Sequence, residues 1–226
     1  MEHQEVYQSQ IIIPLFPLGL VLLPHMTLPL HIFEERYKLM INECMDQDKP
    51  FGIVYFEGNH FQKVGCTSRI INVLKRYEDG RMDIVTRGEK RFYIEHIDEE
   101  KMYLRAGVFF IDDAIEATND EDKILVHEAL ELLRRLDQMI GDTRDYDQLY
   151  DLNLKQLSFI IPGSAGLRME ERQKFLEMMS AGERLKKGIE VLKKVIPRAQ
   201  INRQITDIIG GNGHIRVFLE EKGLIP

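Results

Sequence analysis

The sequence contains few cysteines, and this scarcity excludes two common ways of stabilising a fold. Cys44 and Cys66 are the only cysteines among 226 residues, and they lie far apart and outside any Cys-x-x-Cys pair. A disulfide framework or a structural zinc site needs more thiols at closer spacing. The sequence therefore predicts a fold held by an ordinary hydrophobic core. Because no secretory signal is recognisable, we expect a cytoplasmic location.

The chain also lacks an excess of basic residues. It has 30 lysines and arginines against 37 aspartates and glutamates, a formal net charge of −7. This charge works against non-specific attachment to nucleic acid or to anionic lipid, because both are polyanions. With 44% hydrophobic and 30% charged residues, the composition is that of a globular protein.

One uncharged run is long enough to resemble a membrane segment. Residues 11–33 read IIIPLFPLGLVLLPHMTLPLHIF, and a membrane span needs about 20 apolar residues. The run holds four prolines, each of which removes a backbone donor, so it cannot form one spanning helix. It also lacks the basic start and small-residue cleavage site of a secretion signal. We expect two extended pieces, Ile11–Leu15 and Gly19–Leu23, joined by proline turns in a core.

The first half of the chain has the pattern of strands with one helix. Residues 33–45 carry apolar side chains at three- and four-residue spacing, which predicts an amphipathic helix. Short apolar runs follow, with a hairpin turn expected at Asp79-Gly80 and separate strands on either side of Arg87-Gly88. The hairpin spacing predicts a closed or nearly closed antiparallel barrel over residues 1–112.

From residue 113 onward the pattern is helical, so residues 113–226 are predicted to form a helical bundle and the whole chain an α+β fold. The expected helices run from a cap at Thr118 or Asn119 to Gly141, over residues 146–161, over residues 168–179, and onward from a Ser180–Glu183 capping box. Breaks are expected at Pro162-Gly163, at Pro197 and at the GGNG of residues 210–213.

A serine between glycines is the first candidate for catalysis. Ser164 lies in the peptide PGSAG, residues 162–166. A nucleophilic serine needs a base, and a Gly-x-Ser-x-Gly elbow needs a preceding strand, whereas a helix is predicted here. A helix end followed by a cap is the favoured interpretation. An ATP-independent serine peptidase using Ser164 is kept as an alternative.

Other polar clusters lack the spacing of known sites. His25 and His31 do not form the His-Glu-x-x-His pair that places two imidazoles on one helical face. The GGNGH of residues 210–214 lacks the Lys-Ser/Thr of a phosphate loop. The aspartates at positions 142, 145, 147 and 151 lack calcium-loop spacing. The sequence therefore predicts no metal site and no cofactor.

Two groups of basic residues could meet RNA phosphates. One consists of Arg87, Lys90 and Arg91, and the other of Lys186, Lys187, Lys193 and Lys194. Ordinary loop charges and a solvated helix face are the favoured interpretation. RNA binding is kept as a second alternative.

Aromatic and thioether side chains are the candidates for binding other proteins. Phe56, His60 and Phe61 fall in a predicted connection between strands, and Met178 and Met179 fall near the end of a predicted helix. Such side chains suit contacts with varied apolar peptides, although core packing is the competing interpretation. We predict these five residues as substrate-binding residues.

Several separated motifs occur in the order of a known family. PLFPLGLVLLPHMTLPLHIFEERYKLMINECM at residues 14–45 is followed by KPFGIV, VGCTSRI and DGRMDIVTRGEKRFYI, and then by LSFIIPGSAGLRMEERQKFLEM and GERLKKGIEVL. This series resembles the LON substrate-binding domain, the N-terminal domain of Lon proteases, which also occurs as a stand-alone bacterial protein. The resemblance covers about residues 11–196, and the chain departs from the family pattern after Pro197.

The resemblance implies a PUA-like pseudo-barrel followed by a helical bundle that recognises substrate polypeptides. It implies no protease activity, because the chain has no Gly-x-x-x-x-Gly-Lys-Ser/Thr motif for the ATPase. The expected function is a non-catalytic protein-binding module, an adaptor or regulator of proteolysis. The expected partners are unfolded or partly folded polypeptides and a Lon-type protease in trans; a membrane and nucleic acid are not expected partners.

Overall fold

The structure is a computed structural model that describes residues 10–58, 60–114, 120–146, 149 and 152–221, with residues 120 and 202–221 described by their backbone alone. The strands are β1 (Ile11–Leu18), β2 (Thr27–Ile32), β3 (Phe51–Glu57), β4 (His60–Phe61), β5 (Val64–Arg76), β6 (Met82–Asp98) and β7 (Arg105–Ile111). The helices are α1 (Glu35–Asp46), α2 (Asp120–Ile140), α3 (Leu154–Ser164), α4 (Met169–Glu177) and α5 (Ala181–Glu221). This order confirms the predicted α+β fold.

The sheet closes on itself around the long strand β6. This strand pairs antiparallel with β5 along one edge and with β2 and β7 along the other. Strand β1 pairs antiparallel with β7 and parallel with β3, and β3 pairs antiparallel with β5. The ring β1-β7-β6-β5-β3 is therefore complete. It contains one parallel pair, where the sequence pattern predicted an antiparallel barrel.

The proline-rich run at residues 11–33 forms two strands joined by a buried loop. Pro14 and Pro17 lie in β1, and Pro29 lies in β2, which pairs with β6 alone among the described strands. Proline is tolerated in an edge strand such as β2 because its missing N–H can face away from the ladder. The prediction that Gly19–Leu23 is an extended piece is wrong: the segment is a loop whose last three residues are buried. A continuous apolar run has no periodicity that separates a strand from a buried loop.

Strand β6 runs unbroken through Gly88, so the predicted division into two strands there is wrong. The Gly88 N–H donates to the Met26 carbonyl at 2.9 Å, and the Gly88 carbonyl accepts from the His25 N–H at 2.8 Å. A Cβ added at Gly88 would lie 2.4 Å from the carbonyl oxygen of Leu23. This glycine therefore permits a close approach between strand and loop rather than a turn.

The barrel core receives side chains from three helices. Helix α1 begins two residues later than predicted and buries the expected apolar face, which consists of Tyr37, Met40, Ile41 and Cys44. Phe159 of α3 and Leu176 of α4 pack into the same core. The division into subdomains of residues 1–112 and 113–226 stays a prediction.

Three predicted helix breaks are wrong. Helix α3 begins at Leu154, after Asn153 caps it by accepting a hydrogen bond from the Gln156 N–H at 2.9 Å, and it continues through Pro162 to Ser164. Helix α5 likewise continues through Pro197 and residues 210–213. Ile161 and Ile196, which precede the two prolines, are buried. Tertiary packing of an apolar helix face can outweigh one lost backbone hydrogen bond.

Three other turn and cap signals are confirmed. Helix α2 is followed by Gly141 with φ +76°, and Gly80 has φ +82° in the turn between β5 and β6. The Ser180 hydroxyl accepts a hydrogen bond from the Glu183 N–H at 3.0 Å. The predicted cap at Thr118 or Asn119 lies outside the described residues.

We expect the Glu43→Gln variant to lose less stability in acid than the wild type does. Lys101 and Tyr103 donate hydrogen bonds to the Glu43 carboxylate, and these bonds lower its pKa from the ordinary value of 4.5. A carboxylate with a lowered pKa stabilises the folded state above the unfolded pKa, and this contribution is lost as the pH falls through the folded value. Urea midpoints measured from pH 6 to pH 3 should therefore fall less steeply in Glu43→Gln.

The exposed Glu99, in the turn after β6, provides a matched control. Glu99→Gln removes the same charge and should keep the wild-type slope. Equal slopes for Glu43→Gln and the wild type would contradict the assignment.

Candidate functional site

Three of the five predicted binding residues lie on one hairpin of the barrel. Phe56 at the end of β3 pairs with Phe61 of β4, and their ring centroids are 4.8 Å apart. His60 pairs with Glu57, and Phe61 is 38% exposed. We call Phe56, His60 and Phe61 the hairpin patch. Tyr93 of β6, which pairs with Val64 three residues after Phe61, is also exposed.

The other two predicted binding residues lie between α4 and α5. The Met178 carbonyl accepts hydrogen bonds from Arg91 at 2.6 Å and from Arg184 at 2.8 Å. The Met179 carbonyl accepts from the Ala114 N–H at 2.8 Å, while its side chain is 48% exposed. The backbone of this methionine segment is fixed, and the Met179 side chain faces solvent.

Helix α4 connects the methionine segment to the barrel near the hairpin. The buried Gln173 of α4 donates a hydrogen bond to the carbonyl of Val64, three residues after Phe61, at 3.0 Å. The methionines follow at the end of the same helix. This hydrogen bond therefore limits how far apart the two groups of candidate residues can lie.

A buried cluster of two arginines and one aspartate joins the barrel to the helices. Arg91 of β6 contacts the Asp113 carboxylate at 2.6 Å, and Arg184 of α5 contacts it at 2.6 and 3.0 Å. The three side chains are 2%, 7% and 0% exposed for Arg91, Asp113 and Arg184. The Phe159 ring lies against both guanidiniums. Its centroid is 3.7 Å from the Cζ atom of Arg184 and 5.4 Å from the Cζ atom of Arg91. We call Arg91, Asp113 and Arg184 the arginine cluster.

The arginine cluster corrects one interpretation of the sequence. The sequence pattern predicts that Arg87, Lys90 and Arg91 are ordinary loop charges, but all three lie in strand β6, and Arg91 is buried. Burial lowers the pKa of the Arg91 guanidinium, and the nearby Asp113 carboxylate opposes that shift. Arg91 is therefore an internal ion-pair partner and is unavailable to RNA phosphates.

A cavity of about 500 Å³ lies beside the arginine cluster, between the barrel and α3. We call it the junction cavity. Its apolar walls include Ile11, Pro24, Phe110 and Phe159, and its polar lining includes His25, Glu89, Lys90, Arg91, Asp112 and Lys155. Local sequence patterns do not predict this cavity, because its lining comes from five separate segments of the chain.

Ser164 is placed at the last residue of α3. Its hydroxyl donates to the Ile160 carbonyl at 3.0 Å, the backward bond that serine often makes in helices. The expected turn is absent there, because the helix includes the whole Pro162-Gly163-Ser164 peptide. The arrangement around Ser164 is that of a helical serine.

The histidines and lysines named from the sequence are placed in separate regions. His31 Nδ1 lies 2.6 Å from Asp83 on the outside of the barrel, and His25 lines the junction cavity. On α5, Lys187 pairs with Glu190 at 2.8 Å and Lys193 pairs with Glu128 at 2.6 Å.

Among the described residues, no three His, Cys, Asp or Glu side chains are grouped as metal ligands. No helix in the described part of the chain is both long and apolar enough to span a bilayer.

The chain resembles known proteins along most of its length. Curated relatives include the Lon protease of Cytophaga hutchinsonii, 22% identical over 206 residues that cover 86% of this chain and 25% of that protein. The Lon protease of Buchnera aphidicola subsp. Baizongia pistaciae is 25% identical over 205 residues, covering 85% and 26%. This chain therefore spans about a quarter of the length of these relatives.

Solved structures show the same fold. The N-terminal domain of a Mycobacterium avium complex Lon protease matches with a TM-score of 0.66 and 22% identity, covering 81% of this chain and 98% of that one. A Lon N-terminal domain protein from Xanthomonas campestris matches with a TM-score of 0.62 and 22% identity, covering 78% and 96%. The family model of the ATP-dependent protease La (LON) substrate-binding domain matches residues 12–194. The chain belongs to the LON substrate-binding domain family.

Proposed function

We propose that this protein is a non-catalytic binding module that engages exposed apolar segments of unfolded or partly folded polypeptides. The observation that carries the proposal is the hairpin patch, where the rings of Phe56 and Phe61 contact each other and Phe61 is exposed on a substrate-binding fold. Aromatic side chains contribute large contact areas at protein interfaces. A short hairpin can present them to a flexible chain that brings its own apolar residues.

The methionine segment extends the proposed surface. The hydrogen bond between Gln173 and Val64 limits the separation of the Cα atoms of Phe61 and Met178 to about 30 Å. An extended polypeptide of about nine residues can span that distance. Met179 then offers a flexible thioether that adapts to different side chains. We propose that one client segment contacts both the hairpin patch and the methionine segment.

Binding of a permanently unfolded reporter tests the proposal. A reduced and alkylated protein, labelled for fluorescence anisotropy, should bind saturably to the wild type. Phe61→Asp should weaken binding by about tenfold, because a buried aromatic contact at an interface is typically worth more than 1 kcal/mol.

Phe33→Asp is the matched control, because Phe33 is an exposed phenylalanine of the same barrel outside the hairpin patch. It should bind within about twofold of the wild type. No saturable binding by the wild type, or equal losses in the two variants, would overturn the proposed surface.

We further propose that the module acts as an adaptor or regulator of proteolysis by a Lon-type protease in trans. The support is the family itself, since the curated relatives are Lon proteases of about four times this length. An adaptor should speed degradation of the reporter by a Lon protease, and Phe61→Asp should remove the gain. Degradation at the same rate with and without the wild-type module would contradict the adaptor role. The protein alone should leave the reporter uncut.

A further inference from the structure

The junction cavity lies beside buried positive charge that the described residues neutralise only in part. Arg91 and Arg184 share a single carboxylate, that of Asp113. Their remaining contacts are neutral, being the carbonyls of Leu176 and Met178 and the hydroxyl of Ser158. One of two guanidinium charges is therefore without a counter-charge within the cluster. Because the site is shielded from water, this charge is screened weakly.

The lining of the cavity adds further positive charge. Lys155 pairs with Asp112, and Glu89 pairs with Arg69 at 2.6 Å, so these carboxylates are already engaged. Lys90 lies 5.4 Å from the Phe110 ring centroid and has no carboxylate partner in the described part of the chain. The described groups around the cavity therefore leave an excess of positive charge.

The imidazole of His25 is also affected by nearby positive charge. Partial burial lowers its pKa most, and the positive charges of Lys155 and Arg87 lower it further. The His25 residue is held in place by its backbone, which has φ +68° and donates to Gly88 at 2.8 Å. A histidine next to excess positive charge is a hydrogen-bonding group suited to an anion rather than to a metal cation.

The available donors and walls define the class of ligand. The arginine donors are engaged by carbonyls and by Asp113. Lys90, His25 and the ammonium protons of Lys155 that Asp112 does not accept are therefore the groups that can meet a charged ligand. The walls beside them are apolar, formed by Phe110 and Phe159 among others. A monoanion would neutralise one excess positive charge, and the apolar walls would accept a hydrocarbon body.

We propose that the junction cavity binds a carboxylate attached to an apolar group, with Lys90 and Lys155 holding the charge and Phe110 and Phe159 contacting the body. Two sources share this chemistry: a free organic acid, and the C-terminal carboxylate of a polypeptide that ends in an apolar residue. The second source rests on the proposed function, because it would make the cavity a reader of client chain ends.

Calorimetric titration of the full chain with four probes tests the inference. The probes are N-acetyl-Leu-Phe with a free carboxylate, the same dipeptide as an amide, 4-phenylbutyrate and inorganic phosphate. The free acid is expected to bind at least about tenfold more tightly than the amide, because only the acid balances the buried charge. Phenylbutyrate binding as tightly as the dipeptide acid supports a free organic acid, and a tighter dipeptide acid supports a chain terminus. Equal binding of acid and amide, or phosphate binding as tight as the acid, would overturn the proposal.

Three variants locate the site. Lys90→Gln should weaken binding of the acid by about tenfold, and Asp112→Asn should tighten it because Lys155 loses its internal partner. Lys75→Gln is the control, since Lys75 is an exposed lysine over an aromatic ring, that of Tyr77, outside the cavity. Equal effects of Lys90→Gln and Lys75→Gln would contradict the assignment. Phe61→Asp should leave acid binding unchanged, so failure of the hairpin patch and failure of the cavity are separable.

Discussion

Asp113→Asn is expected to destabilise the protein by about 3–5 kcal/mol, because breaking a buried ion pair leaves charge without a partner. Asparagine keeps the shape of the side chain and removes its charge. Arg91 and Arg184 would then face each other beside Phe159 with no carboxylate between them, and both side chains are almost fully buried. Their mutual repulsion and lost hydration would act only in the folded state.

Urea unfolding gives the free energy of unfolding for this variant, and the neighbouring aspartate gives the control. Asp112 is also paired with a cation, Lys155, but its side chain is 76% exposed. Asp112→Asn should therefore change the free energy of unfolding by only about 0–1 kcal/mol, the usual range for a surface ion pair. Two adjacent aspartates are thus predicted to differ several-fold in their contribution to the free energy of unfolding. Equal losses would show that the arginine cluster is solvated in solution.

Local patterns were sufficient to predict most elements of the barrel. The three- and four-residue spacing of Tyr37, Met40, Ile41 and Cys44 predicts the buried face of α1 because only the helix itself is involved. Gly88 and Pro162 were misinterpreted for the opposite reason. Their conformations are fixed by tertiary neighbours, namely the Leu22–Met26 loop for Gly88 and the buried helix face around Ile161 for Pro162.

The arginine cluster could not be assembled from local patterns. Arg91 and Asp113 are 22 residues apart, and Asp113 and Arg184 are 71 residues apart. One signal was available, since Arg184 lies between Ala181 and Leu185 on the apolar face of α5, where a charge requires a buried partner. The sequence alone names no such partner. The hairpin patch was easier to predict because Phe56 and Phe61 are neighbours along the chain, while its role in binding stays a prediction.

Phe159→Ala is expected to cost about 3–5 kcal/mol of unfolding free energy, the usual range for truncating a buried phenylalanine. The Phe159 side chain belongs to a residue only 1% exposed, and it fills the space between the barrel core and α5. This variant alone does not separate lost volume from lost contact with the guanidiniums. A leucine at the same position makes that separation.

Phe159→Leu keeps most of the volume and removes the ring face over which Arg184 lies at 3.7 Å. A desolvated cation over an aromatic ring is worth about 2 kcal/mol. The matched control is Phe175→Leu, because Phe175 is 4% exposed and its ring has no cation over it among the described residues. We therefore expect Phe159→Leu to cost about 1–2 kcal/mol more than Phe175→Leu. Equal costs would mean that the ring contributes only its volume.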